Sequence, residues 1–219
     1  MNSNNKIIEF PEPLLDNLDT IDRNAVIERY VTFAPVYNYS VHKWGYKAPE
    51  LCARLLNQHT SSRNIRILDA GCGTGLVGKA LTELSYTDIT GIDLSPDMLS
   101  IASVTKYYQR LDQHDLTVIP YPYDENSFHA ILCIGVLSLI SDPLPVFTEF
   151  HRLLQSDGYM IFTQRDNLYT KYNYDAILKQ LELKKLIQLI MMSEPTNYLP
   201  DRDNFSHRKL ITFIYKILK

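Results

Sequence analysis

Cysteine is sparse in this chain of 219 residues: Cys52, Cys72 and Cys133 make an odd number with no C-x-x-C spacing. That excludes a disulfide framework and the common zinc-ribbon patterns, and predicts a reduced, intracellular protein. Long apolar runs are missing too. The longest, Ala130 to Ile140, has 11 residues and contains Gly135 and Ser138, against the roughly 20 needed to cross a bilayer. The opening Met1-Asn2-Ser3-Asn4-Asn5-Lys6 lacks the apolar stretch of a signal peptide. Net charge is small: 22 basic against 25 acidic side chains give −3, so there is no basic surplus for a phosphate backbone. His59, His129, His151 and His207 show no H-x-x-x-H ligand spacing. The expectation is a soluble cytoplasmic protein with no membrane, nucleic-acid or metal partner. Glycine is scarce as well, eight residues in all, yet three of them stand alternately at 71, 73 and 75.

What is present is ample core material, 45% apolar residues, arranged as strands alternating with helices. The first twenty residues read as a polar lead-in. Ile21, Ala25, Ile27, Val31 and Ala34 then predict a helix interrupted at Pro35. Pro49 opens a second helix with Leu51, Leu55 and Leu56 on one face. Residues 1–60 thus form a helical extension, and 61–219 an α/β domain. In that domain strands are predicted at 65–70, 88–93, 108–114, 128–134, 159–163, 185–192 and 208–217. Helices are predicted at 76–84, from Pro96 to Tyr107 with Ser95 as N-cap, from Asp142 to a stop at Gly158, and at 175–183. Phe128 to Ile134 is almost unbroken apolar sequence, as in a strand covered on both faces. The last two strands follow each other without a helix and so pair antiparallel. The fold expected is a three-layer α/β sheet, parallel except at its last strand.

The run Asp69-Ala70-Gly71-Cys72-Gly73-Thr74-Gly75 joins the first strand to the first helix of that domain. A glycine turn there lets a ligand approach the backbone and aims helix N–H groups at it. Gly73 to Gly78 is also a formal G-x-G-x-x-G match, a weak dinucleotide signal by itself. Asp69 argues against a pyrophosphate and for a ligand with a positive group, and S-adenosylmethionine, with an ammonium and a sulfonium, is such a ligand. Asp93, 18 residues after Gly75, is placed to accept from both ribose hydroxyls, as dinucleotide enzymes also do. Leu94 and Met98 are candidates to flank the adenine. Asp115 is a candidate acceptor for its exocyclic amine, and Leu116 offers an N–H to the ring. Cys72 sits at a helix N-terminus, where a thiol pKa can fall, but it is read as a structural spacer.

On these residues the chain resembles the class I S-adenosylmethionine-dependent methyltransferases: Ile67 to Gly75 matches their first motif and Gly91 to Leu99 their second. It is similar, more narrowly, to the Williams–Beuren-region methyltransferase-like proteins through Tyr37-Asn38, Gly45 to Glu50, Gly135 to Ser138 and Thr163 to Asn167. The resemblance implies a seven-stranded Rossmann-like methyltransferase sheet with a helical N-terminal lid. It also implies that Tyr37 and the main chain at Cys133 and Ile134 lie near the methionine part of the cofactor, and that S-adenosylhomocysteine is the product. Asn38, His129 and Ser156-Asp157-Gly158 depart from the family pattern. No Asn/Asp-Pro-Pro-Tyr motif follows the Phe128–Ile134 strand, which favours a small-molecule acceptor over a nucleic-acid base. His42, Tyr46, Gln164 and Arg165 fall near the expected mouth, and none is assigned as a catalytic base. Tyr107, Tyr108, Tyr121 and Tyr123 are candidates to shape an acceptor pocket. Two other readings stay open: a cofactor-binding protein that acts through a partner without catalysis, and a nicotinamide-dependent oxidoreductase.

Overall fold

Parallel strands built on Ile, Leu and Phe need cover on both faces, and the alternation along the chain supplies it. The structure, a computed structural model, describes residues 23–202, 205 and 207–219; the polar lead-in and Ile21 lie outside them. Two helices come first, α1 (Arg23–Lys43) and α2 (Ala48–His59). The sheet then begins with β1 (Ile67–Ala70), α3 (Leu76–Glu83), β2 (Ile89–Asp93), α4 (Pro96–Thr105), β3 (Arg110–Gln113) and β4 (Phe128–Cys133). It continues with α5 (Leu144–Leu153), β5 (Leu154–Arg165), α6 (Asp166–Lys171), α7 (Tyr174–Leu183), β6 (Ile187–Met192), β7 (Thr196–Asn197) and β8 (Lys209–Ile217). The strand order is β3-β2-β1-β4-β5-β8-β6, with two-residue β7 pairing β8 beyond that path. Strands β1 to β5 pair parallel, and β8 runs antiparallel to both β5 and β6.

Alternation along each strand sends side chains to two cores. Ile131, Cys133, Met160 and Phe162 face α5 and α7, where they meet Phe147, Phe150, Tyr174 and Leu178. Ala130, Leu132 and Ile161 face the other way, against Cys52, Ala53 and Leu56 of α2 and Val77, Ala80 and Leu81 of α3. Within the first core Phe162 stacks on Phe213 with ring centroids 4.7 Å apart, and truncating so buried a phenylalanine costs about 3–5 kcal/mol.

Three local expectations change. Helix α1 continues through Pro35. The proline is exposed while Phe33 and Ala34 are buried, so it stands on the solvent side of the helix and packing on the other side offsets the lost hydrogen bond. In α2 the buried face is Cys52, Ala53 and Leu56, with Leu51 and Leu55 half-buried. Finally, α5 stops at Leu153, and Gly158 does not end it. The chain enters β5 at once, and its pairing with β4 jumps from Phe128–Leu154 to Ala130–Tyr159. Gly158 closes that excursion, because a Cβ there would lie 2.9 Å from the Gln155 carbonyl oxygen and 3.0 Å from that of His129.

Candidate active site

The carboxyl ends of β1 to β4 open into one cavity, the place where open α/β sheets bind ligands. Its wall is built from Gly71 and Gly73 after β1, Asp93, Leu94, Ser95 and Met98 after β2, and His114 to Thr117 after β3. Ile134 to Val136, Leu139 and Ile140 follow β4, and Tyr37 reaches in from α1. Of the residues expected from sequence, Tyr37, Gly71, Gly73, Asp93, Leu94, Met98, Asp115, Leu116 and Ile134 are thus brought together.

The glycine loop is fastened to β2: the N–H groups of Gly71 and Cys72 both donate to the Ile92 carbonyl, at 2.8 and 2.9 Å. Gly71 takes φ +78°, and a Cβ there would lie 2.3 Å from a Val136 methyl carbon, so glycine lets the loop after β4 press against it. At Gly73, φ is +52° and nothing lies within 4 Å of a Cβ position. That open side belongs to the cavity wall. Asp93 accepts from the Gly73 N–H (2.8 Å) through one oxygen and from the Ser95 N–H (2.8 Å) through the other. Burial raises its pKa, and the backbone donors of Ser95, Gly73 and Leu94 pull it back. Each carboxylate oxygen has more than one acceptor direction, so Asp93 can bind the loop and a ligand diol together. Ser95 also caps α4 by accepting from the Met98 N–H at 3.3 Å.

Asp115 accepts from the N–H (2.8 Å) and hydroxyl (2.7 Å) of Thr117, forming a tight turn at the cavity edge. The turn is held from behind. Tyr121 donates to the Leu116 carbonyl (2.7 Å), and the Tyr121 N–H donates to the buried Glu149 carboxylate (2.7 Å). After β4, the Gly135 N–H donates to the Thr163 hydroxyl at 2.9 Å. Helix α1 joins in, because the Thr74 hydroxyl of the glycine loop donates to the Asn38 side chain at 2.5 Å.

Four expected residues stand outside the cavity wall. Ala70 and Cys133 end their strands with side chains in the α5/α7 core. Cys72 is buried, and burial together with the charges of Asp69 and Asp93 pushes its thiol pKa up, against the lowering that a helix N-terminus can give. Asp69 is 1% exposed and accepts from the Tyr108 hydroxyl at 2.7 Å. Burial pushes its pKa up to about 7, the Tyr108 bond lowers it, and the Asp93 charge raises it.

The mouth candidates disperse. Gln164 is fully buried, accepting from the Ser138 hydroxyl and the Arg165 N–H, each at 2.8 Å. Arg165 is buried at the end of β5. His42 and Tyr46 line a separate cleft beside α2 and α3, although the Tyr46 hydroxyl lies 2.8 Å from a Cβ position on Gly135. Tyr108, Tyr121 and Tyr123 are not in the cavity wall, and Tyr107 lines the second cleft. Sequence reasoning missed Ser95, His114, Thr117, Gly135, Val136, Leu139 and Ile140. The first four directly flank residues that it did name, and Gly135 and Val136 lie within a stretch matched to the family.

A family model described as "Methyltransferase domain" matches residues 68–162. Human "Methyltransferase-like protein 27" is 35% identical over 158 residues, covering 70% of this chain and 64% of that protein. Over residues 68–162, which hold the glycine loop and nearly all of strands β1 to β4, the chain is similar to the class I S-adenosylmethionine-dependent methyltransferases. Demethylmenaquinone methyltransferase of Chlorobaculum tepidum is 26% identical over 213 residues, covering 91% of this chain and 85% of that one. A TehB-like S-adenosylmethionine-dependent methyltransferase structure from Corynebacterium glutamicum shares the fold at TM-score 0.61 and 19% identity, covering 85% of this chain and 98% of that one. The chain spans less than two thirds of the length of the human relative. No helix among the described residues is long and apolar enough to cross a membrane. Nor, among them, do three or more His, Cys, Asp or Glu gather where they could hold a metal ion.

Proposed function

We propose that the chain transfers a methyl group from S-adenosylmethionine to a small-molecule acceptor. The observation that carries this reading is the pairing of Asp93 with an open Gly73 in one cavity wall. Asp93 would hold the ribose hydroxyls, Gly71 and Gly73 would cradle the methionine part with Tyr37 beside it, and Asp115 and Leu116 would take the adenine between Leu94 and Met98. When bound, the cofactor supplies a methyl group already activated by its sulfonium. The protein's task is then to exclude water and align the acceptor. His114 is the one imidazole in the described cavity wall, and its Nε2 lies 2.8 Å from the Val118 carbonyl oxygen. That engagement leaves alignment, with no protein base in the proposal, as the chain's contribution. The demethylmenaquinone and ubiquinone-biosynthesis relatives make quinols and phenols the first acceptors to try.

Calorimetric titration of S-adenosylmethionine, S-adenosylhomocysteine and NAD into wild type and Asp93→Ala tests the cofactor. Binding of the first two in the micromolar range, weakened at least about tenfold by the substitution, is expected, since a charge-assisted bond is worth about 1.5–3 kcal/mol. Equal or tighter binding of NAD overturns the reading. S-adenosylhomocysteine release with a quinol or phenol panel then separates an enzyme from a silent binder.

A further inference from the structure

The G-x-G-x-x-G spacing of Gly73, Gly75 and Gly78 has a use other than dinucleotide binding. Gly73 opens to the cavity, whereas the other two face the half-buried ring of Tyr108, in the turn between α4 and β3. A Cβ at Gly75 would lie 3.3 Å from that ring, and one at Gly78 would lie 2.4 Å from it. A third glycine, Gly91 on β2, gives way to the same ring at 3.0 Å, as well as to Leu111 and the Cys72 sulfur. Gaps at 2.4 Å are below any real carbon contact, so the ring and these glycines specify one another.

The hydroxyl completes the arrangement. It donates to one Asp69 oxygen at 2.7 Å and accepts from the Gly78 N–H at 3.2 Å. The other Asp69 oxygen is buried with no hydrogen-bond partner. We propose that Tyr108 is the positioning residue of the glycine loop: its ring moulds the loop from behind, and its hydroxyl ties the Asp69 carboxylate to the first turn of α3. With Asp93 holding the Gly73 N–H, the loop is fastened on both flanks, and Asp69 acts on a ligand through the loop it supports. The inference rests on the loop being the cofactor's cradle.

The test uses the full chain and the variants Tyr108→Phe and Gly78→Ala. Its readouts are thermal melting, S-adenosylhomocysteine affinity by calorimetry, and the Asp69 carboxyl titration followed by carbon-13 NMR without ligand. Tyr108, Asp93, Cys72 and Cys133 are the titratable groups that act on Asp69. Tyr108→Phe keeps the ring and removes the donor that favours the carboxylate, so the Asp69 midpoint rises by at least about 0.5 pH. Affinity falls about five- to tenfold, while melting moves by only a few degrees. In Gly78→Ala the added methyl displaces the intact tyrosine, with the same two effects. An unchanged Asp69 midpoint and unchanged affinity in Tyr108→Phe overturn the proposal and leave the ring as packing alone. If that variant does not fold, Gly78→Ala decides on the same two readouts. If wild type binds no S-adenosylhomocysteine, the cofactor reading fails, and the ligand-free titration still decides whether Tyr108 holds Asp69.

Discussion

The cavity has two flanking loops, each backed by a buried carboxylate, and the pKa values of the two carboxylates move in opposite directions. Behind the glycine loop, Asp69 has a neutral hydroxyl for one oxygen, no partner for the other and the Asp93 charge nearby, and its pKa is pushed up to about 7. Behind the loop bearing Asp115, Glu149 is 3% exposed. Burial pushes Glu149 up as well, yet the Arg152 guanidinium and the Tyr121 N–H outweigh it and hold the carboxyl below its usual range. Arg152 grips both Glu149 oxygens, at 2.6 and 2.9 Å. Partners, more than depth, decide whether a buried carboxyl keeps its charge. The linkage follows with opposite signs. Folded Asp69 binds a proton more tightly than the unfolded chain does, so its contribution to stability is present at low pH and is lost between about pH 4 and 7. Glu149 stabilises above its unfolded pKa, and that contribution disappears as pH falls through its lower folded value.

Breaking the Glu149 side has the largest expected effect. Glu149→Ala strands the Tyr121 amide and a partly buried guanidinium, and urea unfolding at pH 7 should show a loss of about 2–4 kcal/mol. The loss should shrink in acid, and a pH-independent loss would mean that the pairing described here is not its source. Asp69→Asn should act the other way. At pH 8 the neutral amide avoids burying a charge, and the variant should be more stable than wild type by about 1–2 kcal/mol. By pH 5, where folded Asp69 is already protonated, the gain should vanish or reverse; a variant less stable at both pH values contradicts the raised pKa. The smallest effect serves as a control. Ser95→Ala removes a neutral cap, so about 1 kcal/mol should be lost with no pH dependence in the same unfolding series.

Much of the sheet was legible because its signals are local. Apolar runs such as Phe128–Cys133, the N-cap at Ser95 and the glycine loop are each written in consecutive residues, and Asp93 follows from its place at a strand end. What escaped depends on residues distant in the chain. Sequence shows the nearness of Asp69 to the glycines, but not the hydroxyl of Tyr108, 39 positions later, that it accepts from. Cys72 reads as a structural spacer, but that its sulfur packs on Gly91 near two acids depends on residues distant in the chain. Pro35 obeys a local rule that tertiary packing overrides. The four tyrosines share one composition signal and have separate fates, since an aromatic does not announce which layer it joins.

Strand β8 sits between β5 and β6, although it is the last of the described strands to be made. During synthesis, β5 must therefore wait with a bare edge until residues 209–217 have left the ribosome, and β6 has no place in the sheet before then. Such long-range closure is slow and leaves the unpaired N–H and C=O groups of an apolar strand open to wrong pairing in the meantime. The glycine loop lies several strands away, in the part of the sheet whose neighbours are all available early. The half that holds the ligand site can thus take shape first, while the half that closes the domain arrives as a single late step.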